Sequence, residues 1–245
     1  MKAREITITT ARPDESRANG VNTVIAGIIA YLQERRLQPG DRLPSERDLA
    51  LRLGVSRNVV REALATLVAL RMIESRPNSG IYLRHYARES SFEALVMLTD
   101  MGATPTSTEV AETMEVRGHL EVLAARLACE RRTKVDLERL QAILCHTQTL
   151  LEKGHNIVAA DTDFHIALVE ATHNSVLVRV LNAFYRFTSR RREAWFAVPA
   201  HGKASARDHR RLVEYVRQRD AGRAEALILR HMERARSYWS SVLAN

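Results

Sequence analysis

Residues 44–64 read PSERDLALRLGVSRNVVREAL, and this stretch decides the fold of the N-terminal part of the chain. It holds two short amphipathic segments on either side of a Gly-Val-Ser turn. Ser45 is predicted to cap the first helix, and Asp48, three residues later, is predicted to complete a capping box with it. Gly54 is predicted to end that helix because glycine readily adopts the left-handed conformation. Ser56 is predicted to cap the second helix. The stretch therefore predicts a helix-turn-helix.

The arginines of this stretch lie where a recognition helix enters the major groove. Arg57 and Arg61 are four residues apart and so project from one side of the second helix, next to Ser56. Arg47 lies on the preceding helix, close to the turn. Because a guanidinium group can hold guanine O6 and N7 together, or a phosphate, these positions predict contacts to duplex DNA. The alternative is that these charged residues are simply solvated.

A predicted β-hairpin follows the second helix. The strand-like runs 73–75 and 81–83 flank a segment rich in turn formers, and its tip at Ser79 and Gly80 can approach a phosphate or the minor groove. Residues 21–86 are thus predicted to form one winged helix-turn-helix. Its first helix is marked by a set of apolar residues at helical spacing: Val24, Ile25, Ile28, Ile29 and Leu32.

Length and composition place the chain among two-domain globular proteins. It has 245 residues and a net charge of +8, and the basic excess is spread over both halves, so charge only supports the DNA-binding prediction. Cys129 and Cys145 fit no metal or redox spacing and are typical of a reducing cytoplasm. With no signal segment and no membrane-spanning apolar run, we expect a cytoplasmic protein with no membrane partner. Residues 1–20 are expected to be a flexible tail.

The second half of the chain is predicted to be entirely helical. Helical periodicity predicts an all-α bundle of six or seven helices over residues 109–245, and residues 87–108 are expected to form a linker or connecting helix. The whole chain is therefore mainly α. The predicted helices cover residues 109–131, 135–152, 156–173, 175–197, 204–219 and 222–243.

Four residues of this bundle form a possible metal site. Asp161 and His165 are four apart and share one helix face. His209 and His231 lie on consecutive helices, each about 15–16 Å from the turn at residues 220–222, which places them level in an antiparallel pair. Three imidazoles and a carboxylate suit zinc or a neighbouring transition metal, with nickel and manganese as alternatives. The other reading is that these are ordinary histidines, as expected for His85, His119, His146, His155, His173 and His201.

The N-terminal pattern strongly resembles the GntR family of bacterial transcription regulators. By that resemblance Arg47, Arg57 and Arg61 are the base and phosphate contacts, and Ser79-Gly80 is the groove contact. Two departures, Asn58-Val59 in place of a Thr-Pro pair and Asn-Ser-Gly at the wing tip, affect operator preference rather than fold. The matching segments are the helix to Arg35, Pro39-Gly40, Leu43 to Arg47, Leu49-Ala50, Val55 to Arg57, Val60 to Leu64, and Gly80.

The C-terminal half resembles the FadR-like subgroup of that family, which carries an all-helical FCD ligand-binding domain. In that subgroup an aspartate and three histidines bind a divalent metal, which implies that role for Asp161, His165, His209 and His231. The resemblance also implies a small carboxylate or hydroxy-acid effector. The matching segments are Glu115 to Arg117, Leu120-Glu121, Asp161 with Phe164-His165, Asn174, Asp208 to Arg210, and His231-Met232.

For three further features the sequence allows two alternative roles each. Arg117 is either a contact to the effector carboxylate or part of a solvated or interhelical ion pair. Asn174 either orients a ligand or ends its helix, and the second is favoured. The run 190–192, Arg-Arg-Arg, is either a solvated face or a contact to DNA or to the other domain.

The sequence therefore predicts a homodimeric regulator, rather a repressor than an activator, that binds double-stranded operator DNA. A small organic acid at a metal-containing cavity would control it. One rival is a constitutive DNA-binding protein whose metal only stabilises the fold. The other is a metalloenzyme with an accessory DNA-binding domain, which we disfavour because no general base or nucleophile motif lies near the site, so no catalytic residue is predicted.

Overall fold

The computed structural model describes residues 13–243 of the chain. By the clustering of its contacts it divides into two compact units, an N-terminal unit that ends at Thr104 and a C-terminal unit that begins at Pro105. The fold class predicted from the sequence, a winged helix-turn-helix followed by an all-α bundle, is confirmed. Within the described residues, no helix combines the length and the apolar composition needed to cross a membrane.

The N-terminal unit contains three helices, a hairpin and two shorter helices. Its elements are α1 (Pro13–Glu34), α2 (Glu46–Leu53), α3 (Arg57–Ala69), β1 (Ile73–Arg76), β2 (Gly80–Leu83), α4 (Tyr86–Glu89) and α5 (Phe92–Asp100). The strands pair antiparallel, with Ile73 opposite Leu83 and Arg76 opposite Gly80. The apolar faces of α1 and α3 supply most of the core, with the side chains of Val24, Ile25, Ile28, Ile29, Leu32, Val60, Ala63, Leu64 and Leu67.

The structure confirms the predicted ends of α2 but not the predicted capping hydrogen bond of α3. Ser45 Oγ accepts a hydrogen bond from the amide of Asp48, and Gly54 has a φ of 66°, so both ends of α2 form as predicted. Ser56 occupies the cap position of α3, but its side chain makes no capping hydrogen bond there. Ser56 is exposed.

Two segments differ from the expected domain limits. Residues 1–12 of the expected tail lie outside the described residues, whereas residues 13–20 belong to α1, which begins with a proline, a residue favoured at the first helical position. The expected linker at 87–108 contains α5, whose Leu98 is buried in the core of the N-terminal unit together with Ala103. An apolar helix face packs wherever a core accepts it, and this one packs on the winged domain.

The C-terminal unit is a bundle of six helices among the described residues. They are α6 (Ser107–Arg131), α7 (Lys134–Glu152), α8 (Val158–Glu170), α9 (Ser175–Phe196), α10 (Pro199–Gln218) and α11 (Ala221–Leu243). Capping boxes at Thr106 with Glu109 and at Thr133 with Asp136 start α6 and α7. The bundle core is built from apolar side chains around the ring of Phe164, and it includes Met114, Ala125, Leu140, Leu168, Leu212, Val213, Leu227 and Ile228.

Candidate functional site

The predicted DNA-contacting arginines lie on the surface of the N-terminal unit. Arg57 and Arg61 are exposed in the first turns of α3, and Arg47 is exposed in α2. Arg61 Nη2 lies 3.1 Å from Glu46 Oε2, an ion pair that joins α3 to the first residue of α2. Because the pair is exposed, solvent screens it and it costs little to open when a phosphate or base competes for the guanidinium.

The wing tip has its own internal contacts. Ser79 Oγ lies 2.7 Å from the Tyr82 hydroxyl, across the turn. Gly80 has a φ of 129°, and a Cβ atom there would come within 2.7 Å of Arg42 Nε. The positive φ favours glycine at this position, whereas the flexible Arg42 side chain could move away from an added Cβ atom. The sequence pattern alone gave only the groove contact as the reason for this glycine.

The four candidate metal ligands converge from three helices of the C-terminal unit. One ligand atom from each of Asp161, His165, His209 and His231 can be chosen so that all four atoms lie within 4.8 Å of one another. His165 Nε2 is 3.9 Å from Asp161 Oδ2, and His209 Nε2 is 3.6 Å from Asp161 Oδ1. The three imidazole rings lie close together, with centroid separations of 4.9, 5.1 and 5.4 Å.

Asp161 is held by two buried polar side chains. Arg192 Nη2 donates to Asp161 Oδ2 at 2.5 Å, and Ser205 Oγ donates to Asp161 Oδ1 at 2.7 Å. Arg192 also donates to Thr162 Oγ1 at 2.6 Å, so its guanidinium is fixed against α8. Of the arginine run 190–192, Arg190 is exposed, as a solvated face would have it, whereas Arg192 is buried, which differs from both readings of that run.

Burial and neighbouring charges set the protonation of the cluster. Burial lowers the pKa of His209 well below its ordinary value and lowers the pKa of His231 as well. Burial acts to raise the pKa of Asp161, but Arg192 and the three imidazoles outweigh it, and the pKa is lowered far below the usual range. Near neutral pH the cluster therefore offers neutral His209 and His231 and an ionised Asp161, the forms in which these side chains bind metals.

Two further carboxylates lie within hydrogen-bond distance of histidines of the cluster. Glu121, which is fully buried, accepts from His165 Nδ1 at 3.1 Å and from the Tyr185 hydroxyl. Asp208 lies 3.3 Å from His231 Nδ1 and is also bound by Arg234. Burial acts to raise both carboxyl pKa values, yet their hydrogen-bonded and charged partners lower each of them to about 2.

The cluster opens onto a cavity of about 480 Å³, part of which is open solvent. Arg117 is 4% exposed and lines this cavity, while its Nε lies 3.5 Å from Glu121 Oε1 and its guanidinium stacks over the Tyr185 ring at 4.1 Å. The sequence left two readings for Arg117, an effector contact in the cavity and an ion pair. Arg117 both lines the cavity and forms an ion pair, although its partner Glu121 lies on the same helix, α6. Further lining residues are Met114, Arg192, Trp195, His201, Met232 and Arg234.

Several of these residues were not identified from the sequence. No role was assigned to Glu121, Ser205 or Asp208, and Arg192 was placed only on a solvated or contacting face. Their partners lie on other helices, so their roles depend on how the helices are rotated. His201, expected at the surface or at a cap, stacks on Trp195 at a centroid distance of 3.6 Å and lines the cavity. Asn174 begins a helix rather than ends one, since its Oδ1 accepts from the amides of Val176 and Leu177 in α9.

The donor set fits a divalent transition metal. Borderline-soft imidazole nitrogens and one carboxylate oxygen suit zinc, nickel and manganese, and the ligand atoms are close enough for one ion to reach all four after small side-chain movements. Burial of all but His231, which is nearly buried, excludes most competing water.

Comparisons with known proteins agree with both units. The family model for "Bacterial regulatory proteins, gntR family" matches residues 21–83, and the FCD domain model matches residues 112–234. HTH-type transcriptional regulator LutR of Bacillus subtilis is 32% identical over 206 residues, which cover 82% of this chain and 92% of LutR. The galactonate operon transcriptional repressor of Escherichia coli is 26% identical over 214 residues, covering 86% of this chain and 93% of the repressor.

A solved structure shows the same fold at low identity. The structure of Lar, described as controlling the expression of the Listeria monocytogenes agr system, superposes with a TM-score of 0.62 at 18% identity. The match covers 96% of this chain and 99% of Lar. With a GntR-type winged helix-turn-helix before an FCD bundle, this chain belongs to the GntR family and is a DNA-binding regulator of transcription.

Proposed function

We propose that this protein is a repressor whose operator binding is controlled by a small carboxylate at a metal-containing cavity. The observation that carries the proposal is the convergence of Asp161, His165, His209 and His231 beside a cavity lined with arginines. A relative of similar length is named a galactonate operon transcriptional repressor, which supports repression and an acid as the signal.

The N-terminal unit would read the operator through α3 and the wing. Arg57 and Arg61 would contact base edges or phosphates in the major groove, with Arg47 on a neighbouring phosphate. Ser56, whose exposed hydroxyl is not used for capping, would donate to a phosphate at the start of α3. Ser79 and Gly80 would bring the wing tip to the adjacent groove.

The C-terminal unit would hold a divalent ion, zinc first and nickel or manganese as alternatives. Asp161, His165, His209 and His231 would be the ligands. When bound, such an ion offers further coordination positions to a carboxylate or hydroxyl oxygen. The side chains of the cavity then select the ligand, and Arg117 would pair with its carboxylate, since this guanidinium already lines the cavity.

Regulation requires that the acid prefer the DNA-incompetent arrangement of a homodimer. Two winged domains would bind half-sites of a near-palindrome in the cytoplasm, and the acid would alter their spacing or freedom through the bundle. A preference of about 2–3 kcal/mol would weaken operator binding by roughly 30- to 150-fold.

Thermal unfolding of the purified protein against a panel of small organic acids, with and without a chelator, tests this function. We expect one divalent ion per chain and an acid that raises the unfolding temperature only when the ion is present. The proposal fails if metal-loaded and chelator-treated protein respond identically to every acid, or if the protein retains no stoichiometric metal.

A further inference from the structure

Two of the three candidate histidine ligands present the same ring atom to a carboxylate. Glu121 Oε2 lies 3.1 Å from His165 Nδ1, and Asp208 Oδ2 lies 3.3 Å from His231 Nδ1. An ionised carboxylate can only accept, so each Nδ1 must carry the proton of this hydrogen bond. In a neutral imidazole the proton then stays off Nε2, which is left as the nitrogen with a free lone pair.

The two carboxylates are themselves fixed by other donors. Glu121 is bound by the Tyr185 hydroxyl and pairs with Arg117, all three side chains being buried. Asp208 is bound by Arg234, whose side chain is 46% exposed and lines the cavity. Neither carboxylate is among the four residues whose ligand atoms converge, so their role is toward the rings and not toward an ion.

His209 is held differently. Its ring stacks on Phe164 with a centroid distance of 3.8 Å and an interplanar angle of 9°, and its Nε2 lies 3.3 Å from Ser205 Oγ. An aromatic face fixes the plane of a ring but does not select which nitrogen is protonated. The histidines therefore differ in what orients them, which gives an internal comparison.

We propose that Glu121 and Asp208 are positioning residues that lock His165 and His231 as Nδ1-protonated rings, so that each presents Nε2 to the ion. The inference rests on the proposed metal site and adds the residues that preorganise it. Loss of such a hydrogen-bonding partner typically weakens metal affinity by about 10- to 100-fold. Glu121, with more donors and full burial, should show the larger effect.

The first test measures Zn²⁺ affinity by competition with a chromophoric chelator. Asp208→Asn and Glu121→Gln keep the side-chain shape and remove the charge, and both are expected to bind Zn²⁺ about 10- to 100-fold more weakly than the wild-type chain. Asp163→Asn is the matched control, because Asp163 is an exposed carboxylate on α8, two residues from Asp161. This control should bind Zn²⁺ like the wild type.

The second test reads the tautomers directly, in metal-free protein, from imidazole ¹⁵N chemical shifts. We expect His165 and His231 to be Nδ1-protonated in the wild type. Asp208→Ala, which removes the acceptor and not only its charge, should shift His231 toward Nε2 protonation while His165 is unchanged. If Glu121→Gln does not fold, the Asp208 variants carry the test, since Asp208 is 6% exposed whereas Glu121 is fully buried.

The outcomes separate the inference from the function beneath it. If the wild type binds one Zn²⁺, Asp208→Asn and Glu121→Gln bind it equally well, and Asp208→Ala leaves the His231 tautomer unchanged, the positioning role is overturned and the metal site stands. If the wild type binds no Zn²⁺, the proposed metal site is overturned, and the tautomers in metal-free protein still decide whether the two carboxylates orient the rings.

Discussion

The two units use arginine in opposite environments. In the N-terminal unit Arg47, Arg57 and Arg61 are exposed, so their charges remain hydrated until a partner displaces the water. In the C-terminal unit Arg117 and Arg192 are 4% and 6% exposed and are paired with buried carboxylates. An exposed arginine contributes little to folding and is available to an external anion, whereas a buried one is needed to compensate an internal charge. The difference predicts that arginine substitutions affect DNA affinity in one unit and stability in the other.

The largest effect is expected on metal content when two of the candidate histidine ligands are removed. His209→Ala combined with His231→Ala should abolish stoichiometric metal, because only Asp161 and His165 would remain of the four ligands. Metal content after dialysis, measured by elemental analysis, checks this. His119→Ala, which removes an exposed histidine of α6, is the control and should retain the ion. A double variant that still holds one tightly bound ion would show that the ligand set is wrong.

The contrast between exposed and buried arginines is tested within the run 190–192 of the C-terminal unit. Arg192→Leu leaves the buried Asp161 carboxylate without its ion-pair partner and should lower the free energy of unfolding by about 3–5 kcal/mol in metal-free protein. Arg190→Ala, at the exposed neighbouring position, should change it by no more than about 0.5 kcal/mol. Denaturant unfolding of both variants measures this. Equal stabilities would mean that burial does not distinguish the two arginines.

In the N-terminal unit the same residue type should act on binding alone. Arg57→Ala or Arg61→Ala should reduce operator affinity by about 1–3 kcal/mol, because each removes a charge-assisted contact to a base or phosphate. Affinity is measured by fluorescence anisotropy at fixed salt, on an operator obtained by selection from random duplexes. The unfolding temperature and the dimer should be unchanged. Lys134→Ala, an exposed cation of the bundle, serves as control, and unchanged binding in both arginine variants would contradict the recognition helix.

A smaller effect is expected from pH. Burial lowers the pKa values of His209 and His231 in the folded chain below the ordinary 6.5, so below about pH 6.5 the unfolded chain binds more protons than the folded one. The stability of metal-free protein should therefore fall as pH falls from 7 to 5, by up to about 1.4 kcal/mol for each unit of pKa shift. Below about pH 4 the lowered carboxyl pKa values add a further loss. The double histidine variant should show a flatter profile between pH 7 and 5.

Local signals made most of the fold predictable. The turn at Gly54, the cap at Ser45 and the arginine positions all lie within one stretch of residues 44–64, so a helix-turn-helix follows from neighbours in sequence. The candidate metal ligands could also be predicted from the sequence. Asp161 and His165 are four residues apart and so share one helix face, and His209 and His231 lie at equal distances from the turn between their helices.

The remaining features depend on contacts that no local pattern specifies. Arg192 meets Asp161 across 31 residues of sequence, and Glu121 meets His165 across 44. Whether either side chain points inward depends on how α6 and α9 are rotated, which the packing of the whole bundle decides. The apolar residues of α5 predicted a helix, but nothing in their spacing indicated that Leu98 would pack in the core of the winged domain.

The most direct test of the account is operator affinity measured by anisotropy with and without the acid found in the thermal screen. The wild type and the His209→Ala, His231→Ala variant are compared in the presence of the ion. We expect the acid to weaken operator binding of the wild type by roughly 30- to 150-fold and to leave the variant unaffected. Equal operator affinity of the wild type with and without the acid, or an equal response of the variant, would contradict control of DNA binding through the metal-containing cavity.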